Sequence, residues 1–102
     1  MIHVIASIRL NAGCRDRFLE EFHKLVPTVH QEQGCLEYGP TVDVDSGIAA
    51  QGAAREEVVT IVEKWESLEA LQVHLTADHM TEYRERVKDL VQGIELQILQ
   101  PV

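Results

Sequence analysis

Residues 58–75 read VVTIVEKWESLEALQVHL and contain a predicted strand followed at once by a predicted helix. Residues 58–65 are rich in β-branched side chains, which favour a strand. Ser67 stands where a helix N-cap is expected, and three leucines follow it at helical spacing (Leu68, Leu71 and Leu75). This strand and helix form the middle of the predicted fold.

The chain before this stretch predicts a strand, a helix and a second strand. Residues 2–10 alternate between apolar and polar side chains, as a half-buried strand does. Residues 14–33 carry an apolar stripe at helical spacing (Phe18, Phe22, Leu25, Val26 and Val29), with Pro27 inside it as an expected kink and Gly34 as an expected stop.

The second strand is predicted at residues 35–44, with Leu36, Tyr38, Val42 and Val44 sharing one face. The dipeptide Gly39-Pro40 indicates a bulge or an edge position in that strand. Residues 45–57 contain two glycines and show no period, so a loop is expected there.

After the middle stretch, the sequence predicts another helix and a last strand. Thr76 is the expected cap of the helix, and Gly93 its expected end. Its apolar stripe comprises Met80, Tyr83, Val87, Leu90 and Val91, and the alternating side chains of the strand are Ile94, Leu96 and Ile98.

The resulting order is β-α-β-β-α-β, a ferredoxin-like α+β fold with an antiparallel four-stranded sheet, in one domain spanning residues 1–102. Helices can cover only one face of such a sheet. Residues 58–62 are apolar on both sides, and Ile5 points away from its apolar neighbours. We therefore expect a homodimer in which two sheets pack face to face.

Composition and charge narrow the range of partners. The chain has 102 residues and a formal net charge of -8, with no segregated basic stripe, which disfavours nucleic acid and anionic membranes. Cys14 and Cys35 lie in no metal-binding pattern and are expected to be reduced, because no secretion signal is visible. They flank the first helix at opposite ends, so they are too far apart to form a disulfide within one chain. Without an apolar run long enough to span a membrane or a signal-peptide pattern, the expected location is the cytoplasm.

Two segments together resemble the antibiotic biosynthesis monooxygenase family. The first is Gly-Cys-Leu-Glu-Tyr at residues 34–38, and the second runs from Glu63 through Trp65 and His74 to His79. The resemblance covers essentially the whole chain. It implies a dimeric α+β barrel in which several members oxidise quinols or polyketide anthrones with molecular oxygen, without metal or flavin.

The resemblance also allows other activities, since haem-degrading oxygenases and isomerases belong to the wider superfamily. A haem role is disfavoured because the first strand has Ser7 and Ile8 where haem degraders carry an asparagine. The helix offers Tyr83 and Arg84 where haem degraders carry a histidine ligand. The loop at residues 45–57 is longer than expected for the family.

The candidate site residues follow from this chemistry. A bound aromatic must lose a proton in a dry cavity, and histidine is the side chain best suited to accept it near neutral pH. His74 is therefore the catalytic candidate. The substrate-binding candidates are Trp65 and Tyr83 as walls, Tyr38 and Arg9 as contacts to substrate oxygens, and His79 near the pocket mouth.

Each of these residues also has a structural interpretation. Trp65 suits a hydrophobic core, and Arg9 could pair with a carboxylate on the sheet. A metal site of His74, His79 and Glu63 is disfavoured by its spacing, and the resemblance implies that neither a metal nor another cofactor is needed. The leading hypothesis is a cofactor-independent monooxygenase for a quinol-like or polyketide aromatic. A non-catalytic binding module for a hydrophobic small molecule and an isomerase remain alternatives.

Overall fold

The computed structural model describes residues 1–102 and has the predicted ferredoxin-like topology, including the two predicted helices before the last strand. All strand pairs are antiparallel, and the sheet order is β2-β3-β1-β4. The elements in chain order are β1 Ile2–Leu10, α1 Arg15–His30, β2 Cys35–Thr41, β3 Val58–Trp65, α2 Leu68–Thr76, α3 Asp78–Val87 and β4 Val91–Leu99.

The core lies between the helices and one face of the sheet. Alternate residues of β1 are buried, as predicted (Val4, Ala6, Ile8 and Leu10). The apolar stripe of α1 packs onto them through Phe18, Phe22, Leu25 and Val29. Ser67 caps α2 by accepting a hydrogen bond from the backbone N–H of Ala70 at 3.1 Å. The amphipathic patterns of β1, α1 and α2 therefore determine much of how the core packs.

Helix α1 and strand β2 both end earlier than predicted. Helix α1 stops at His30 and runs through Pro27, while Gly34 adopts a left-handed φ of +85° in the turn beyond the helix. Strand β2 ends at Thr41, so Val42 and Val44 are exposed rather than on its buried face. The bulge lies between Cys35 and Glu37, which leaves Leu36 exposed, and Gly39-Pro40 occupies the predicted edge strand.

The boundary between α3 and β4 also differs from the prediction. Helix α3 ends at Val87, and Val91 begins β4, so Gly93 lies within a strand instead of ending a helix. Thr76 is the last residue of α2 and does not cap α3, because its Oγ1 hydroxyl donates back to carbonyls of its own helix. The extended residue Ala77 separates the two helices.

The segment between β2 and β3 contains neither helix nor strand, as expected for residues 45–57. Its ends are joined by Arg55, whose Nε and Nη2 donate to the Asp43 carboxylate at 2.7 and 2.9 Å. These hydrogen bonds lower the pKa of Asp43 to about 2. Cys14 and Cys35 form no disulfide. No helix of the fold is long and apolar enough to span a membrane.

The helices leave strand β4 uncovered. Its side chains Ile94, Leu96 and Ile98 lie on the helix side of the sheet, opposite Ile8, Ala6 and Val4 in the register, but are 42–57% exposed. On the opposite face of the sheet, apolar Ile5 and Val62 alternate with polar residues such as Ser7 and Thr60. Along β4, the interior of the fold is therefore accessible to solvent.

Candidate functional site

A cavity of about 340 Å³ opens between α3 and the helix-facing side of the sheet. We call it the apolar cavity, because most of its lining is hydrophobic. This lining includes Ala6, Ile8, Ile61, Met80, Val87, Ile94 and Leu96. Its volume lies at the lower end of the range for small-molecule sites. A few polar side chains also reach it, and these define its chemistry.

His74 is the most deeply buried of these polar side chains. It lies in the last turn of α2, is only 1% exposed, and packs against the rings of Trp65 and Tyr38 at centroid distances of 4.6 and 5.3 Å. Its Nδ1 is 2.8 Å from Glu32 Oε2, and this is the ring nitrogen of His74 that makes a hydrogen bond within the protein. Burial lowers the pKa of His74, and Glu32 partly opposes that effect. Nε2 is therefore the nitrogen available to the apolar cavity.

Glu32 connects His74 to a second histidine. The same Oε2 atom lies 2.7 Å from His79 Nε2, and the three atoms lie within 4.8 Å of one another. His79 and Glu32 line a second cavity of about 480 Å³, which we call the polar cavity, together with Gly34, Glu66, Ser67 and Glu69. The carboxylate beside the two histidines is thus Glu32, whereas Glu63, the third member of the disfavoured metal set, hydrogen-bonds Trp65 instead.

Gly34 positions Glu32. A Cβ at position 34 would lie 2.6 Å from the Cβ of Ala70, so the turn after α1 fits against α2 only with glycine. The Gly34 carbonyl accepts a hydrogen bond from the Glu66 backbone N–H at 2.8 Å. This close approach brings Glu32 within reach of His74.

Glu63 is the second buried titratable group of the apolar cavity. It lies on the helix-facing side of β3, opposite Val4, and is 6% exposed. Its Oε1 accepts a hydrogen bond from Trp65 Nε1 at 2.9 Å. Burial raises the pKa of Glu63 to about 7, although the Trp65 hydrogen bond opposes the rise. At neutral pH this carboxyl group is therefore a mixture of acid and carboxylate.

Two tyrosines and a cation complete the polar lining. Tyr38 and Tyr83 pack on Phe22 at 5.4 and 5.7 Å, and burial raises the pKa of both hydroxyls, so they are hydrogen-bond donors at neutral pH. Arg84 lies at the cavity mouth, where its Nη2 donates to the Leu75 carbonyl at 2.8 Å. Together these groups can receive a substrate that carries phenolic oxygens.

Of the predicted site residues, His74, Tyr38 and Tyr83 line the apolar cavity, and three others do not. Trp65 is fully buried behind Glu63 and His74, so it supports the wall instead of forming it. His79 turns toward Glu32 and the polar cavity. Arg9 lies on the opposite face of the sheet, because it alternates with the buried residues of β1, and pairs with Glu95.

The sequence interpretation did not identify Glu32 or Arg84 as site residues and gave Glu63 only a minor role. The position of Glu63 had a usable signal, since it alternates with Ile61 and Trp65 and must share their buried face. The sequence contained no comparable signal for Glu32, because this residue lies in a turn without periodicity. Its partners are 42 and 47 residues away in the chain.

The family model described as "Antibiotic biosynthesis monooxygenase" matches residues 1–86. The chain belongs to this family. A relative named "Probable quinol monooxygenase YgiN" from Escherichia coli K12 is 43% identical over 103 aligned positions, covering 99% of this chain and 98% of that protein. A match over nearly the full length of both proteins shows that the loop at residues 45–57 is not a long insertion peculiar to this chain.

Solved structures agree on the fold. PA3566 from Pseudomonas aeruginosa has a TM-score of 0.82 at 22% identity and covers 99% of this chain and 93% of that one. Rv0793 from Mycobacterium tuberculosis has a TM-score of 0.80 at 20% identity and covers 99% and 94%. At these identities the likeness supports the fold alone, so function must be argued from the site.

Proposed function

We propose that the protein is a cofactor-independent monooxygenase that oxidises a quinol-like or polyketide aromatic with molecular oxygen. The observation that carries this proposal is a mostly apolar cavity whose walls present a buried histidine, with Nε2 unpartnered, and two protonated tyrosines. Family membership and the 43% identical relative with its quinol monooxygenase name support the same reaction class.

The reaction needs no external reductant when the substrate is a hydroquinone. One atom of O₂ becomes a new ring hydroxyl and the other leaves as water. The ring gives up the four electrons that O₂ accepts, two through hydroxylation and two through oxidation of the hydroxylated ring to its quinone. The two hydrogens that leave the ring in net terms appear in the water.

The cavity residues can support the first step, which is loss of a phenolic proton. His74 Nε2 accepts that proton, and the resulting anion is electron-rich enough to react with oxygen. Tyr38 and Tyr83 donate hydrogen bonds to the substrate oxygens, and Arg84 at the mouth stabilises the negative charge. The apolar lining excludes water, which strengthens each of these interactions.

The test is oxygen consumption by metal-stripped protein with a panel of hydroquinones and anthrones, corrected for spontaneous oxidation. We expect saturable acceleration that falls about 100-fold in His74→Gln, which keeps a polar side chain but cannot take up a proton. His23→Gln is the matched control, since His23 is exposed and lies outside both cavities. Tight quinol binding by folded protein without oxygen uptake would overturn the proposal in favour of a binding module.

We also propose that the protein is a homodimer formed by sheet-to-sheet packing and acts in the cytoplasm. The half-buried Ile5 and Val62 on the face opposite the helices support the dimer, and two unpaired cysteines are in keeping with a reducing compartment. Light scattering after size exclusion should give twice the chain mass of 11.5 kDa. Ile5→Glu should shift the protein to monomer, whereas a wild-type monomer would contradict the proposed dimer.

A further inference from the structure

We propose that Glu32 is a positioning residue that holds His74 in the tautomer with a bare Nε2, and that His79 fixes the Glu32 carboxylate for this task. The assignment rests on the proposed function, because it explains how His74 would be ready to accept a proton. Neither Glu32 nor this role for His79 follows from the sequence motifs, and both come from the arrangement of three side chains from separate segments.

The hydrogen bonds to Glu32 determine where protons lie. A carboxylate oxygen carries lone pairs and accepts from two donors, and Oε2 has two ring nitrogens at 2.7 and 2.8 Å. His74 must therefore carry its ring proton on Nδ1, which leaves the Nε2 lone pair free. His79 must likewise donate from Nε2, and this second bond prevents the carboxylate from rotating away from His74.

The same arrangement supports His74 after proton transfer. The substrate O–H bond breaks, its proton goes to Nε2, and the electron pair stays on the substrate oxygen. His74 then becomes an imidazolium whose Nδ1–H still faces the Glu32 carboxylate. An ion pair in a buried site stabilises this charged form, and the same carboxylate lines the polar cavity.

Direct hydrogen bonding describes the cluster better than a metal site. A tetrahedral zinc ion with bonds of about 2.1 Å keeps its ligand atoms about 3.4 Å apart. Both nitrogens are closer than that to Oε2, at 2.7 and 2.8 Å. The carboxylate oxygen already occupies the position between the two rings.

Several other ionisable groups surround His74 and enter any account of its pH behaviour. Tyr38 of β2, Glu63 of β3, and Tyr83 and Arg84 of α3 line the same cavity, while Glu32 and His79 approach from the other side. Arg84 and His79 disfavour the charged form of His74, and only Glu32 favours it. Removing the Glu32 charge must therefore lower the pKa of His74 further.

The first test needs neither substrate nor turnover. Long-range ¹H–¹⁵N spectra of the full-length protein report which ring nitrogen of each histidine carries the proton. We expect His74 protonated on Nδ1 and bare at Nε2 in the wild type, with mixed tautomers in Glu32→Gln. The control is Glu69→Gln, an exposed carboxylate of the same polar cavity without a hydrogen bond to either histidine. A wild-type His74 protonated on Nε2 would overturn the assignment even if Glu32→Gln did not fold.

The second test uses turnover of a quinol found active in the oxygen assay. Glu32→Gln should lower kcat by roughly 100-fold with little change in KM, and the acidic limb of the kcat profile should move to lower pH. A purely structural role would lower activity without moving that limb, and would overturn the assignment. If no quinol is turned over, the proposed function fails, and the tautomer spectra still decide the role of Glu32. Stoichiometric Zn²⁺ binding lost in Glu32→Gln would instead establish a metal site.

Discussion

The two cavities meet at the hydrogen bond between Glu32 and His74, but they differ in how far their ionisable side chains are exposed to water. In the apolar cavity, burial raises the pKa of Glu63 to about 7 and lowers the pKa of His74. In the polar cavity, Glu66 and Glu69 are exposed to water. Both cavities contain glutamate and histidine. Desolvation, more than residue type, therefore prepares a side chain for proton transfer.

The largest expected change is a loss of folding stability on substitution of Gly34, the residue whose turn holds Glu32 against His74. In Gly34→Ala, the new Cβ would lie 2.6 Å from Ala70 Cβ in a backbone with φ of +85°. Strain in the left-handed region and the clash together should lower the free energy of unfolding by roughly 4 kcal/mol. Urea denaturation measures this change. The displaced turn should also separate Glu32 from His74.

Gly13→Ala is the matched control for strain without a clash. Gly13 has φ of +76°, and a Cβ added there would have nothing within 4 Å, so only the backbone cost of about 1 kcal/mol remains. Equal losses in the two variants would contradict the tight fit of the turn against α2.

The second prediction concerns the pH dependence of stability, which should differ between a buried carboxyl group such as Glu63 and an exposed one. The folded pKa of Glu63 is about 7 against an ordinary value of 4.5, so between these values the folded state binds more protons than the unfolded state. The contribution of Glu63 to stability is therefore full at low pH. It is lost as pH rises from about 4.5 to 7, by about 3 kcal/mol in total.

Urea titrations from pH 4.5 to 8 measure this contribution as the difference between wild type and Glu63→Gln. His74 acts in the opposite sense, because its lowered pKa costs stability as pH falls below 6.5, but it is present in both proteins and cancels. In Glu69→Gln the wild-type pH dependence should persist. A Glu63→Gln profile parallel to that of the wild type would show that Glu63 is not desolvated.

The fold was predictable because its signals are local. Alternation in β1 and β3 and the leucine spacing of α2 each reflect one element meeting one core. The errors lie at element ends, such as the start of β4 at Val91. There, an apolar run suits a helix stripe and a strand equally well. Pairing with β1 makes this run a strand and not part of the helix, and that pairing cannot be predicted from the local sequence.

The site was predictable where a motif or a helix face located a residue. His74 has both a motif position and a helix face, Tyr38 has a motif position and Tyr83 a helix face, and all three line the apolar cavity. Trp65 shows the limit, since its alternation with Glu63 predicted burial but could not tell a wall from the support behind it. Glu32 was out of reach because its role depends on the turn at Gly34 docking against α2, a contact between distant segments.

The smallest of these effects tests which cavity receives the substrate. Ala6 lies on β1 at 3% exposure and lines the apolar cavity, so Ala6→Leu extends a larger side chain into the space a quinol ring would occupy. We expect kcat/KM for the best quinol to fall about tenfold, equal to about 1.4 kcal/mol. Urea denaturation checks that the variant stays folded, because enlarging a buried side chain also costs stability. Val73→Leu makes a similar enlargement at a 68% exposed residue of the polar cavity and should leave kcat/KM unchanged. If Val73→Leu impaired turnover and Ala6→Leu did not, the substrate would bind on the other side of His74, where the Glu32 carboxylate occupies its Nδ1, and His74 could not be the proton acceptor.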